Sequence, residues 1–124
     1  MSKKIIVPVD GSKIAQNALE FAITMARAYG DEIRLINIQP TLQILGESTI
    51  KEANELLEKE QVPHSSIIRI GTPAIEIMSE ARDPDVRCIV MGSKGKSMDP
   101  SRMLGSVTQA TISMAPCPIV MIPS

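Results

Sequence analysis

The chain has 124 residues, 44% hydrophobic and 22% charged, with a formal net charge of -1; this suits one domain, residues 1–124, around one core, and is too near neutral for a general nucleic-acid binder. Aromatic residues make up only 2% and Trp is absent, which excludes a stacking platform for single-stranded bases. No apolar run approaches the ~20 residues of a membrane span, and the run at 5–9 is shorter than the about 7–15 apolar residues of a signal-peptide core, so a cytoplasmic protein is expected.

Residues 3–9 are rich in Ile and Val and are closed by Asp10, Gly11 and Ser12. A continuous apolar run of this kind predicts a strand buried on both faces, as in a parallel sheet. Ser12 is a good N-cap for a helix in which Ala15, Ala18, Leu19, Ala22, Met25, Ala26 and Tyr29 recur at helical spacing, with Gly30 as its stop. Residues 33–38 read as a second strand and residues 39–46 as a loop or short turn. A second helix over about 48–60 carries Ile50, Ala53, Leu56 and Leu57 on one face and the solvated charges Lys51, Glu52, Glu55, Glu58 and Lys59 largely on the other. His64 follows Pro63 in a loop and reads as a surface histidine, since no Cys or His cluster accompanies it.

A third strand is expected over 65–70. Thr72 caps a third helix whose first turn takes Pro73 and which ends near Arg82. Residues 86–91 form a fourth strand, and a glycine-punctuated loop follows. Gly105 or Ser106 opens the last helix, Pro116 ends it, and residues 118–122 make a fifth strand. Cys88 and Cys117 lie in or beside strands without metal-ligand spacing and read as buried reduced thiols. Strands alternating with helices throughout imply right-handed crossovers and one α/β parallel sheet with helices on both faces. Ligands of such sheets sit beyond the carboxyl ends of the strands, where strand order reverses. Asp10, Ile38 and Gly92 all fall at such ends.

The loop has the pattern Gly92-x2-Gly95-x9-Gly105-Ser106, between a strand and a helix start. Glycines let backbone take positive φ and approach an anion, and helix N-terminal amides carry partial positive charge, so the pattern suits phosphate. It is not a P-loop. Gly95-Lys96-Ser97 imitates the tail of one, but the required glycine five positions earlier is Val90. The dinucleotide fingerprint GxGxxG is absent as well.

With its flanks the pattern closely resembles the ATP-binding branch of the universal stress protein family. The matching segments are KIIVPVDGS (4–12), GTPAIEIM (71–78), IVMGSKGK (89–96), LGSVT (104–108) and APCPIV (115–120), in family order over nearly the whole chain. The resemblance implies a five-stranded sheet of order 3-2-1-4-5, the adenine nucleotide alpha hydrolase-like fold, with a nucleotide between strands one and four. Asp10 would contact the adenosine part, Pro8 and Val9 would line its pocket, and Ile38 would contact adenine. Met91, Gly92 and Gly95 would bring the loop to ribose and phosphates; Gly105, Ser106 and Val107 would cradle phosphates. ATP, or ADP or AMP, with Mg²⁺ is the implied ligand. Lys94, Lys96 and Arg102 could add charge near the phosphates, and Asp99 could meet Mg²⁺ or merely form a turn. Asp10 itself could simply open the turn Asp-Gly-Ser. The 39–46 connection is shorter than in many relatives, which implies a more open pocket.

No Ser-His-Asp or Cys-His set can be assembled, and no carboxylate is poised to activate water beside the phosphates. The leading expectation is a regulatory stress-response binder in which nucleotide orders the 92–105 loop and alters a surface seen by an unknown protein partner. A slow ATPase or phosphotransferase, and a dimeric interaction protein that does not use nucleotide, remain the alternatives. The family resemblance also implies a homodimer through the last strand, 118–122, whose exposed edge would need a cover.

Overall fold

The computed structural model describes residues 2–94 and 104–123. Its elements in chain order are β1 (Lys4–Pro8), α1 (Lys13–Tyr29), β2 (Glu32–Gln39), a 3-10 turn (Gln43–Gly46), α2 (Glu47–Lys59), β3 (His64–Ile70), α3 (Pro73–Ala81), β4 (Val86–Gly92), α4 (Ser106–Met114) and β5 (Ile119–Ile122). The strands form one parallel sheet of order β3-β2-β1-β4-β5. β1 therefore lies at the centre, between β2 and β4, and the order reverses beside it.

Alternation along the strands divides the core into two layers. Ile5, Val7 and Val9 face the same side as Ile33, Leu35, Cys88 and Val90, and they pack under Ala18, Leu19 and Ala22 of α1 and Ala53 and Leu57 of α2. Ile6, Ile36, Ile89 and Met91 face the other side, under Ile77 and Ala81 of α3, with Val107 of α4 against them. Ile5, Ile6 and Val7 are fully buried; each such side chain contributes about 1.5–3 kcal/mol by leaving water. The expected continuous apolar strand is thus the central one, covered on both faces.

The helix ends follow the sequence. Ser12 Oγ accepts from Ala15 N at 3.1 Å, and Gly30, at φ 72°, closes α1 with its N–H on Ala26 O. Thr72 stands at the N-cap of α3 with Pro73 next, but its side chain makes no capping bond. The 39–46 connection, expected as a loop or short turn, holds a 3-10 turn that runs straight into α2. Two sequence expectations change. His64 opens β3 rather than sitting in a loop, with its Nδ1 2.7 Å from Val62 O. Tyr29 is exposed, not core, and carries the Arg87 guanidinium 4.0 Å above its ring.

Charged groups fasten what the apolar layers leave open. Arg69 on the edge strand β3 holds Glu76 at 2.6 Å and Glu80 at 2.7 Å, and Arg34 meets Glu80 at 3.3 Å, so α3 is tied to β2 and β3. At the amino end of the sheet, buried Asp31 accepts from Lys3 N and from Arg87. Burial opposes the charge on Asp31, but hydrogen bonds from Arg87 and Lys3 outweigh it and hold the carboxyl below its ordinary range. No helix among the described residues is long and apolar enough to cross a membrane.

Candidate functional site

The carboxyl ends of β1 and β4 lie side by side at the point where strand order reverses. From there α1 leaves toward one face of the sheet and α4 toward the other, the arrangement that forms a ligand crevice in open α/β sheets. β1 hands over to α1 through three residues with separate tasks. Val9 is buried and its N–H donates to Ile36 O at 2.9 Å. Asp10 is exposed and its Oδ1 accepts from Ser12 N at 2.9 Å. Gly11 takes φ 86°, which an L side chain would resist, and so turns the chain into the Ser12 cap. The turn-opening role of Asp10 is therefore realised, and it uses one carboxylate oxygen.

On the β4 side, Gly92 ends the strand where the first turn of α1 packs against it. A Cβ there would come closer than 3.0 Å to Ile14 Cγ2. Thr108 Oγ1 donates to Gly92 O at 3.0 Å, Ser93 N donates to Ile122 O at 2.8 Å, and Gly105 N donates to Ser93 O at 2.9 Å. These bonds pinch the two ends of the 92–105 segment together at the mouth of the crevice. Gly105 is the N-cap of α4 at φ -69° and ψ 156°, without a side-chain capping bond. The first amides of α4 thus have no side chain from their own cap, as an anion site needs.

Gly105 is extended rather than at positive φ, and among the described residues the glycines with positive φ are Gly11, Gly30 and Gly71. Gly92 is required for close approach instead. Gly95, Lys96, Asp99 and Arg102 lie outside the described residues.

Of the other expected site residues, Ile38, Met91 and Val107 share the apolar layer on the α3/α4 side. Pro8 ends β1, and Ser106 stands exposed as the first residue of α4. Val9 is their neighbour on the opposite face. There a separate cleft of about 170 Å³ opens between α1 and α2, lined by Val9, Gly11, Ser12, Leu19, Ala53 and Leu56 among others. Val9 is the one expected site residue that it shares. His64 opens β3, at the opposite end of the parallel sheet from the crevice.

Two residues at the crevice were missed from sequence. Gly11 was read only as punctuation, although its positive φ sets the turn that aims Asp10. Asn37 was absorbed into the second strand, yet it is 2% exposed and donates from Nδ2 to Val9 O at 2.7 Å. A lone amide within Leu35-Ile36-Asn37-Ile38 was the available signal, because buried polar groups need partners.

Comparison with known proteins agrees with this fold. The family model described as the universal stress protein family matches residues 1–123. Universal stress protein MJ0531 of Methanocaldococcus jannaschii is 29% identical, over 97% of this chain and 81% of its own length. The solved structure of MJ0577 from the same organism, described as a structure-based assignment of biochemical function, is 26% identical and superposes with a TM-score of 0.91, covering 100% of this chain and 97% of that one. An Archaeoglobus fulgidus universal stress protein solved in complex with dAMP has the same fold, with a TM-score of 0.80, 24% identity and 98% coverage of both chains. Other solved neighbours of this fold hold cAMP or AMP. With its sheet order, its pinched glycine segment and a family model spanning nearly every residue, this chain belongs to the universal stress protein family.

Proposed function

We propose that the protein is an adenine-nucleotide-binding regulatory module whose ligand lies in the crevice between β1 and β4. The observation that carries this reading is the pinch of Gly92, Ser93 and Gly105 beneath the uncapped start of α4, in a family whose solved members include dAMP, cAMP and AMP complexes. Phosphates would lie at the amides of Ser106 and Val107, where the helix dipole favours negative charge. Asp10 is a poor neighbour for phosphate and a good acceptor for ribose hydroxyls, so it belongs at the nucleoside end. Pro8 and Val9 form that wall, Ile38 meets the adenine, and Met91 backs the loop that carries Gly92 and Gly95. ATP with Mg²⁺ is the fullest ligand on this reading; ADP and AMP would share the nucleoside contacts.

Nucleotide would order the 92–105 segment, whose ends are already fixed, and so change a surface offered to a protein partner. The edge strand β5, with Met121 42% exposed, supports a homodimer joined edge to edge. Cytoplasmic location and a stress-response role complete the proposal. Mass spectrometry of the freshly purified, denatured protein tests the ligand class: a released adenine nucleotide is expected. Release of no nucleotide, together with no binding of added AMP, ADP or ATP, rejects the reading.

A further inference from the structure

We infer that Asn37 is a positioning residue, whose side-chain amide replaces the next rung of the β1–β2 ladder and leaves the Ile38 main chain open to the edge of a bound base. This rests on the adenine-nucleotide reading and deepens it. The backbone parity of β2 is fixed by its neighbours. Glu32 N donates to Lys3 O and Ile36 O accepts from Val9 N, so even-numbered residues turn their peptide groups toward β1. Ile33 N donates to Pro63 O and Gln39 O accepts from Gly71 N, so odd-numbered residues turn theirs toward β3. Ile38 therefore points its N–H and C=O toward β1.

The register of β1 with β2 ends at Pro8 and Ile36, and the Val9 N to Ile36 O bond is the last rung among the described residues. The next rung would run from Ile38 N to Val9 O. Asn37 Nδ2 takes that carbonyl instead, at 2.7 Å. Turning the amide over would set Oδ1 against Val9 O, two acceptors together, and Nδ2 against Gln39 Nε2, which now donates to Oδ1 at 2.9 Å. Gly46 makes room for this arrangement: a Cβ there would come closer than 3.0 Å to both Oδ1 and Cγ of Asn37.

The consequence is a donor and an acceptor of one residue presented side by side at the rim of the crevice. Adenine offers the complementary pair, an N1 acceptor and an amino donor. Hypoxanthine offers the reverse, an N1–H donor and a carbonyl acceptor. A site built to hydrogen-bond one edge discriminates strongly against the other. Asn37 thus acts on the base through Ile38, without touching it.

The test combines amide hydrogen exchange on the free protein with calorimetric titration of AMP and IMP into wild type, Asn37→Asp, Asn37→Leu and Gln39→Leu. Asn37→Asp keeps the shape but sets an acceptor against Val9 O; Gln39→Leu leaves the donor and loosens its orientation, and keeps a readout should Asn37 variants fold poorly. Expected are an Ile38 amide that exchanges faster than that of Ile36, a wild-type preference for AMP over IMP of about tenfold or more, and ratios within about twofold in the Asn37 variants. Gln39→Leu should shift the ratio the same way by less. Ile38 as protected as Ile36 overturns the ladder replacement. An AMP-to-IMP ratio unchanged in the Asn37 variants overturns the positioning role, since mere destabilisation would weaken both ligands alike. Failure of wild type to bind AMP overturns the nucleotide reading, and this role with it.

Discussion

Replacing Gly92 by Ala adds a single methyl group at the tightest backbone approach in the crevice. The added Cβ would meet Ile14 Cγ2 closer than 3.0 Å, with Ile14 Cβ and Lys94 O each at 3.3 Å. Ile14 is β-branched and sits in the first turn of α1, where one χ1 rotamer dominates, so it cannot simply swing aside. Relief must come from moving the start of α1 or the end of β4. Overpacking of this kind costs about 1–3 kcal/mol. For a chain of this size that is a fall in melting temperature of roughly 3–15 °C.

Thermal and urea unfolding of wild type, Gly92→Ala, Ile14→Ala and the double variant measure the effect as a cycle. Ile14→Ala alone removes packing and destabilises, but it also clears the space the new methyl needs. The double variant should therefore be more stable than the sum of the two single changes by about 1 kcal/mol or more, within the range seen for contacting residues. A Gly92→Ala protein that melts within 1 °C of wild type (well below the roughly 3 °C lower bound), or a double variant that is simply additive, would refute the claim that Gly92 is kept for close approach to α1.

Asp31 is held below its ordinary value of 3.8, so its contribution to stability is present above that pH and drains away as pH falls through the lower folded value. Asp31→Asn should cost about 1–3 kcal/mol at pH 7 and flatten the loss of stability in acid; an unchanged acid limb in urea melts between pH 5 and 2 would count against the Arg87–Asp31 tie. Burial pushes the Cys88 thiol from 9.0 up to about 11, so it stays protonated and unreactive at neutral pH. Stability should accordingly fall as pH rises from about 9 toward 11, and a thiol reagent should label Cys88 only at the rate of unfolding; fast labelling of the native protein would contradict its burial. Met121→Lys places a charge on the exposed edge strand, and sedimentation should show dimer in wild type and monomer in the variant; a wild-type monomer at micromolar concentration removes the edge-to-edge proposal.

The strand-helix alternation was legible because each run carries its own period and its own stops. Residues 3–9 read as a doubly covered strand from Ile and Val alone, and Ser12 and Gly30 bounded α1 correctly by capping chemistry that is local in sequence. The sheet order came through the family resemblance and matches the structure. Contacts between residues far apart in the chain were not legible. The tight packing of Ile14 on Gly92 depends on how α1 leaves β1, so the glycine was read only as letting the loop approach a ligand. The tie from Asn37 to Val9 depends on β1 ending one rung before β2, which composition does not encode. Tyr29 kept helical spacing with the core, yet it is exposed beyond buried Ala26, and Arg87 covers the ring instead. Asp10 was readable as a turn residue or a ligand residue; its Oδ1 is used by the turn, and its exposed position is compatible with both.

The nucleotide claim is tested most directly at Ser106, which is exposed and opens α4. Ser106→Glu should leave folding intact or slightly improved, since a carboxylate suits a helix N-terminus, while setting negative charge where phosphate is proposed to lie. Calorimetric titration with ATP and Mg²⁺ should give saturable binding to wild type and binding at least about tenfold weaker to the variant, with its melting temperature unchanged or raised. Equal affinity in both proteins would contradict phosphate binding at the start of α4.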